Sequence, residues 1–148
     1  MDGILNQEIL TFFEGKPQAL ALFETFARRL TAEIGEADIR VQKTQIAFSN
    51  RHNFAFASFL PVRKAKERPE QYIVITFGLG HRVESPRIDG AVEPYPNRWT
   101  HHVLISKEEE IDGELMGWVK EAAEFAALKR RASPRMLIFC LAFALRPL

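Results

Sequence analysis

The residues from Asp38 to Val62, DIRVQKTQIAFSNRHNFAFASFLPV, decide the fold class, because this is the longest run in the chain that demands extended backbone. Ile39 and Val41 alternate with Arg40 and Gln42, the period-2 pattern of a strand with one buried face. The apolar residues then return at Ile46 and Phe48, on the opposite parity, which requires a bulge or a break near Lys43-Thr44. Asn50-Arg51-His52-Asn53 supplies a turn, since asparagine tolerates left-handed backbone and bonds its own main chain. After it, Phe54, Phe56, Ser58 and Leu60 share one face, and Ala55, Ala57 and Phe59 the other. The stretch reads as a hairpin with one bulky and one small face, to be covered by helices from the flanking chain.

Those helices are legible. Residues 4 to 13 place Leu5, Ile9, Phe12 and Phe13 near one helical face; Gly15 then suits a helix end and Pro17 a helix start. From 17 to 34, Leu20, Phe23, Ala27, Leu30 and Ile34 recur at spacings of three and four, with Glu24–Arg28 and Arg29–Glu33 as exposed i,i+4 pairs. Gly35 stops the pattern too early for a long coiled coil. Further on, Gln71 to Phe77, QYIVITF, has the β-branched and aromatic content of a strand buried on both faces. Gly78-Leu79-Gly80 is a turn signal and not a phosphate loop, because no third glycine and no helix follow. His81 to Arg98 carries Pro86, Pro94 and Pro96 and no period. A loop of that length is uncommon in a compact domain and belongs to the class of lids and binding loops.

Trp99 to Ser106 is the last strand of the pattern. A helix over 107 to 130 follows, with Ser106 and Glu109 at capping-box spacing and Ile111, Leu115, Trp118, Ala122 and Phe125 as its stripe. Pro134 lies beyond its end. Met136 to Leu145 is a run of ten apolar residues, about half of the ~20 that a membrane-spanning helix needs. The tail from 132 to 148 is therefore expected to pack on its own domain or across a homodimer, with no membrane anchor. The whole reads as one domain over residues 1–148: α+β, an antiparallel sheet of four or five strands, with two N-terminal helices and one C-terminal helix packed on one face.

Composition bounds the rest. A chain of 148 residues, 47% hydrophobic, sustains one real core. No basic segment precedes an N-terminal apolar run, and the one cysteine cannot form an internal disulfide, so a cytoplasmic location is expected. Cys140, set among apolar neighbours, reads as an inert buried thiol. The net charge of +1 hides a division. Residues 1–37 hold three cations and six anions, 38–102 ten and six, and 103–148 seven and seven. An anion-binding surface belongs in the middle segment.

Several separated segments, namely FFEGKPQALALFETF, KTQIAF, SPRI followed by VEPYPNRWTHHV, and GELMGWVKEA, together resemble a bacterial domain-of-unknown-function family. The resemblance covers roughly residues 8 to 127. It implies a small α+β domain, found alone or appended to larger proteins, and it carries no activity to transfer. The apolar tail departs from that pattern.

No motif fixes a reaction. His101 and His102, adjacent in a strand, point to opposite faces and cannot both ligate one ion, and no carboxylate or histidine spacing around them describes a zinc site. Neither a metal nor another cofactor is expected, and a catalytic role has no nucleophile–base signature to rest on. The reading is a binding or interaction module for an anionic ligand. Its candidate residues are Lys43 and Gln45, on the parity abandoned by the apolar residues, Arg87 and Arg98, which bracket the proline-rich loop, and His102; alternation leaves open which histidine faces outward. The rival reading of the two arginines is that they pair with Glu84, Asp89 or Glu93 to fasten the loop. Two alternatives stand beside the anion module. One is single-stranded nucleic-acid binding through the 38–62 hairpin, where Phe54 and Phe56 would stack bases as in RNA-recognition strands; the other is an enzyme acting on an anionic substrate.

Overall fold

The computed structural model describes residues 5–128 of the chain. Helices α1 (Gln7–Phe12) and α2 (Pro17–Glu33) come first, then strands β1 (Asp38–Val41), β2 (Gln45–Ser49), β3 (Asn53–Ser58), β4 (Ile73–Leu79), β5 (Gly90–Tyr95) and β6 (Arg98–Ile105), and finally α3 (Gly113–Leu128). The strands form one antiparallel sheet in the order β1-β2-β3-β4-β6-β5. The α+β class and the helix placement are as the sequence implied, but the sheet has six strands where four or five were expected.

Both additional strands have a physical origin. The parity break at Lys43-Thr44 is neither a bulge nor a kink in one strand. It is a reversal, with Val41 opposite Ile46 and Asp38 opposite Ser49, and Gln42 donating its N–H to the Gln45 carbonyl at 2.8 Å. One expected strand is thus two. Residues 81–98, expected to be without regular structure, contain β5, which turns into β6 through Pro96-Asn97. Asn97 takes φ 63°, the left-handed backbone that asparagine accepts in a tight turn. β5 escaped the pattern because Gly-Ala-Val-Glu-Pro-Tyr has the mixed content, proline included, that only an edge strand tolerates.

Register assigns the two faces. Ile39, Phe48, Ala55, Phe77, His101 and Ala91 stand opposite one another in a single row across all six strands. The helices cover this row: Phe23 and Phe26 meet the Phe48 ring at 5.8 and 5.4 Å, and Trp118 of α3 stacks on Phe77 at 5.8 Å. α2 buries Leu22, Phe23, Phe26, Ala27 and Leu30 here, and α3 buries Leu115, Met116, Val119, Ala122, Ala123 and Ala126. Small residues on α3 let it lie close to the sheet. Lateral pairing also settles the two phenylalanines. The β2–β3 register slips between Phe48 and Ser49, so Phe54 is the extra residue of a bulge and joins the core beside Ala55. Phe56 stays on the opposite face, half-buried, in the row Arg40, Ala47, Phe56, Thr76, His102, Gly90.

The C-terminal helix begins later than its sequence signal. Glu108–Glu110 form a 3-10 turn, in which the Glu110 carboxylate accepts from the N–H groups of Ser106 and Lys107. The helix proper is capped by Asp112, whose carboxylate accepts from the Leu115 N–H at 3.1 Å. The apolar tail, Cys140 within it, and the end of the expected 107–130 helix lie outside the described residues. Among the described residues no helix is long and apolar enough to cross a membrane.

Candidate functional site

β4 and β5 both run antiparallel to the β6 between them, so from Leu79, opposite Trp99, the chain must turn back along the sheet to reach Gly90, opposite His102. Residues 80–89 make that return as a strap. Among the described residues no helix covers the β6–β5 end of the core face, and the strap lies there: Val83 and Ile88 are half-buried against the core, and His101 beneath is fully buried.

The strap is stitched along its length. Gly80 begins it where a side chain would press to 3.1 Å of the Phe125 ring. His81 meets Glu121 of α3 at 2.6 Å, and this carboxylate raises the imidazole above its ordinary pKa. The Val83 N–H donates to His101 Nε2 at 2.9 Å. That bond places the His101 proton on Nδ1, a buried atom with no partner among the described residues; burial holds this histidine below its ordinary pKa. A turn closes at Ser85–Ile88, and Arg87 reaches across to Asp112 at 2.7 Å, to Glu114 at 3.2 Å and to the Glu110 carbonyl, with its guanidinium 5.9 Å from the Trp118 ring. At the far end the Asp89 carboxylate accepts from Arg63 at 2.8 and 3.3 Å and from the Leu104 N–H at 2.9 Å.

Between strap and sheet edge lies an open cleft of about 330 Å³. Arg82, Val83, Glu84 and Ser85 line it from the strap; Ile88, Asp89, Gly90 and Ala91 line it toward β5. On the strap side of the sheet its β5 wall is the small residue Ala91, whereas a side chain at Gly90 would meet His102 on the other face. Arg82 is exposed, its guanidinium 5.7 Å from the Trp99 ring centroid. Like Arg40, Arg51 and Arg68, and unlike Arg28, Arg29, Arg63 and Arg87, it has no acid within ion-pairing distance among the described residues; of the four, Arg82 is the one that lines the cleft.

The five residues singled out in the sequence are not brought together around this cleft. Lys43 stands in the β1–β2 turn, and Gln45 opens β2, bonded to Gln42 at 2.9 Å, three strands away from β6. Arg87 is on the helix side, tied to α3; its partners are Asp112 and Glu114, not Glu84, Asp89 or Glu93. Arg98 begins β6 with its guanidinium 5.4 Å from the Phe125 ring. His102 is on the opposite face of the sheet from His101, yet it is only 5% exposed. Its Nδ1 lies 2.8 Å from Thr76 Oγ1, its Nε2 is buried without a partner among the described residues, and burial pushes it down from 6.5 to about 4. Neither buried histidine therefore offers a positive charge to an anion near neutral pH. Sequence reasoning passed over Arg82, and it named Glu84 only as an ion-pair partner for Arg87 or Arg98. Their one signal was membership of the long proline-containing segment, since nothing local separates a cation that stays unpaired from one that fastens the loop.

A small antiparallel α+β domain with a strapped edge cleft is thus the class that fold and site define. The chain's residues 9–126 match the family described as Domain of unknown function (DUF5655), and the chain belongs to that family. No curated protein and no solved structure matches it significantly.

Proposed function

We propose that the protein is a non-catalytic binding module whose ligand enters the strap cleft by an anionic group. Arg82 carries the reading. Its guanidinium is 5.7 Å from the Trp99 ring centroid, within cation–π range, and no carboxylate neutralises it among the described residues. Pre-positioned arginine suits carboxylate and phosphate because its paired N–H groups match two oxygens, and stacking on an aromatic ring lowers the entropy lost on binding. The cleft is lined mainly by polar groups, with Val83, Ile88 and Ala91 as its apolar contacts, and the stitches on either side frame it.

Titration of the isotope-labelled protein with sodium acetate tests this. Saturable amide shifts are expected at Val83, Ser85 and Gly90, with a change at the Trp99 indole; Arg82→Ala should abolish them, and Ala91→Leu should block them by filling the cleft. Shifts spread uniformly over the surface, or unchanged in Arg82→Ala, would overturn the assignment.

A further inference from the structure

Charge accounting within the cleft narrows the ligand class. Three charged side chains line it: Arg82, Glu84 and Asp89. Asp89 is already satisfied by two bonds from Arg63 and one from the Leu104 N–H. Glu84, like Arg82, is exposed and pairs with no described residue, and the two do not pair with each other. The cleft thus presents one available cation and one available anion, two positions apart on the same strap.

We infer that the ligand is a small zwitterion, a free amino acid or short peptide, with its carboxylate on Arg82, its ammonium on Glu84 and its aliphatic part against Val83, Ile88 and Ala91. This rests on the anion reading of Arg82 given above and adds the second charge and the class of compound. A polyanion such as a phosphate dianion would meet the Glu84 carboxylate with only one cation to offset it, and like charges at close range repel. A zwitterion turns the same carboxylate into a partner. Size agrees, because about 330 Å³ is at the small end of ligand cavities, which run to roughly 1,000 Å³. The charges are exposed, so each contact stays modest, and selectivity comes from having both at once.

Three probes separate the possibilities, titrated by NMR into the full chain: L-alanine, N-acetyl-L-alanine, which lacks the ammonium, and L-alanine amide, which lacks the carboxylate. L-Alanine is expected to bind at least roughly tenfold more tightly than either analogue, a factor worth ~1.4 kcal/mol. Glu84→Gln, a change at an exposed side chain, should bring L-alanine down to the level of N-acetyl-L-alanine, and Arg82→Ala should bring it down to that of the amide. Equal binding of L-alanine and its N-acetyl form, unaltered by Glu84→Gln, would overturn the zwitterion and leave the anion site standing. Absence of shifts at Val83, Ser85 and Gly90 with all three probes and with acetate would overturn both readings.

Discussion

The helix-covered row of the sheet and the strap beside it close the same core by different means. From Ile39 to Phe77 the row is apolar, and helices lie on it. Its cohesion is area removed from water, spread over many side chains, so the loss of one leaves a cavity. At His101 and Ala91 the row passes under residues 80–89, which form no helix or strand, and there the closure consists of individual polar bonds: His81 to Glu121, Val83 to His101, Arg87 to Asp112, Asp89 to Arg63. Helices tile a surface without gaps, whereas a stitched strap leaves space between its stitches. The cleft occurs at this junction for that reason, and of its three charged groups Arg82 and Glu84 are unpaired among the described residues.

The contrast breaks most visibly in the row itself. Phe48→Ala, at a fully buried ring packed on Phe23 and Phe26, should cost about 3–5 kcal/mol in chemical denaturation. A loss below about 1 kcal/mol would mean that the row is not the source of stability.

Next in size is an acid limb from His102. Its pKa is lower in the folded protein, about 4 against 6.5, so the unfolded chain binds the extra proton. This contribution to stability is present above pH 6.5 and is lost as pH falls toward about 4, on the order of 3 kcal/mol in all. His101 acts in the same direction. His102→Gln should flatten the limb in stability measured from pH 7 to 4, and an unchanged slope would show that burial of this imidazole has been misjudged.

Cutting the lower stitch should matter less to the whole and more to the strap. Arg87→Ala removes bonds to two half-exposed carboxylates and one carbonyl, for a global loss of about 1–2 kcal/mol. Amide exchange at residues 82–88 should rise while β4 keeps its protection. Equal acceleration in both would show that strap and sheet open as one unit.

The smallest effect belongs to His81. Its pKa is raised by Glu121, so the ion pair is complete below the ordinary value near 6.5 and is lost as pH rises through the higher folded value. The pair is solvent-exposed, and no more than a local loosening at residues 80–83 is expected above that pH, absent in Glu121→Gln. Exchange at these amides that does not vary with pH beyond its intrinsic base catalysis would remove His81 from the set of fastenings.

Much of this was written locally. The periodicity of Phe23, Ala27 and Leu30, the Gly15 and Pro17 punctuation and the continuous apolar run of β4 each report a local backbone preference or a face repeated every two or three to four residues. These signals are strong because every turn of helix or pair of strand residues repeats them. The parity change at Lys43-Thr44 was visible too, but alternation alone does not distinguish a bulge from a reversal; only the pairing of Val41 with Ile46 does. Edge strand β5 went unseen because Gly-Ala-Val-Glu-Pro-Tyr mixes small, charged and proline residues, a content that only an edge position tolerates.

The sequence by itself determined the class of fold, the helices and the central strands, since burying an apolar face imposes a period on the chain that makes it. Tertiary structure alone decided which charges are available. Arg87 and Arg82 lie five residues apart in the same segment, and whether a guanidinium meets Asp112 or rests on Trp99 beside an open cleft depends on the path of the strap past α3 and β6. Ion pairing is a property of distances between residues remote in sequence, and it leaves no period to read.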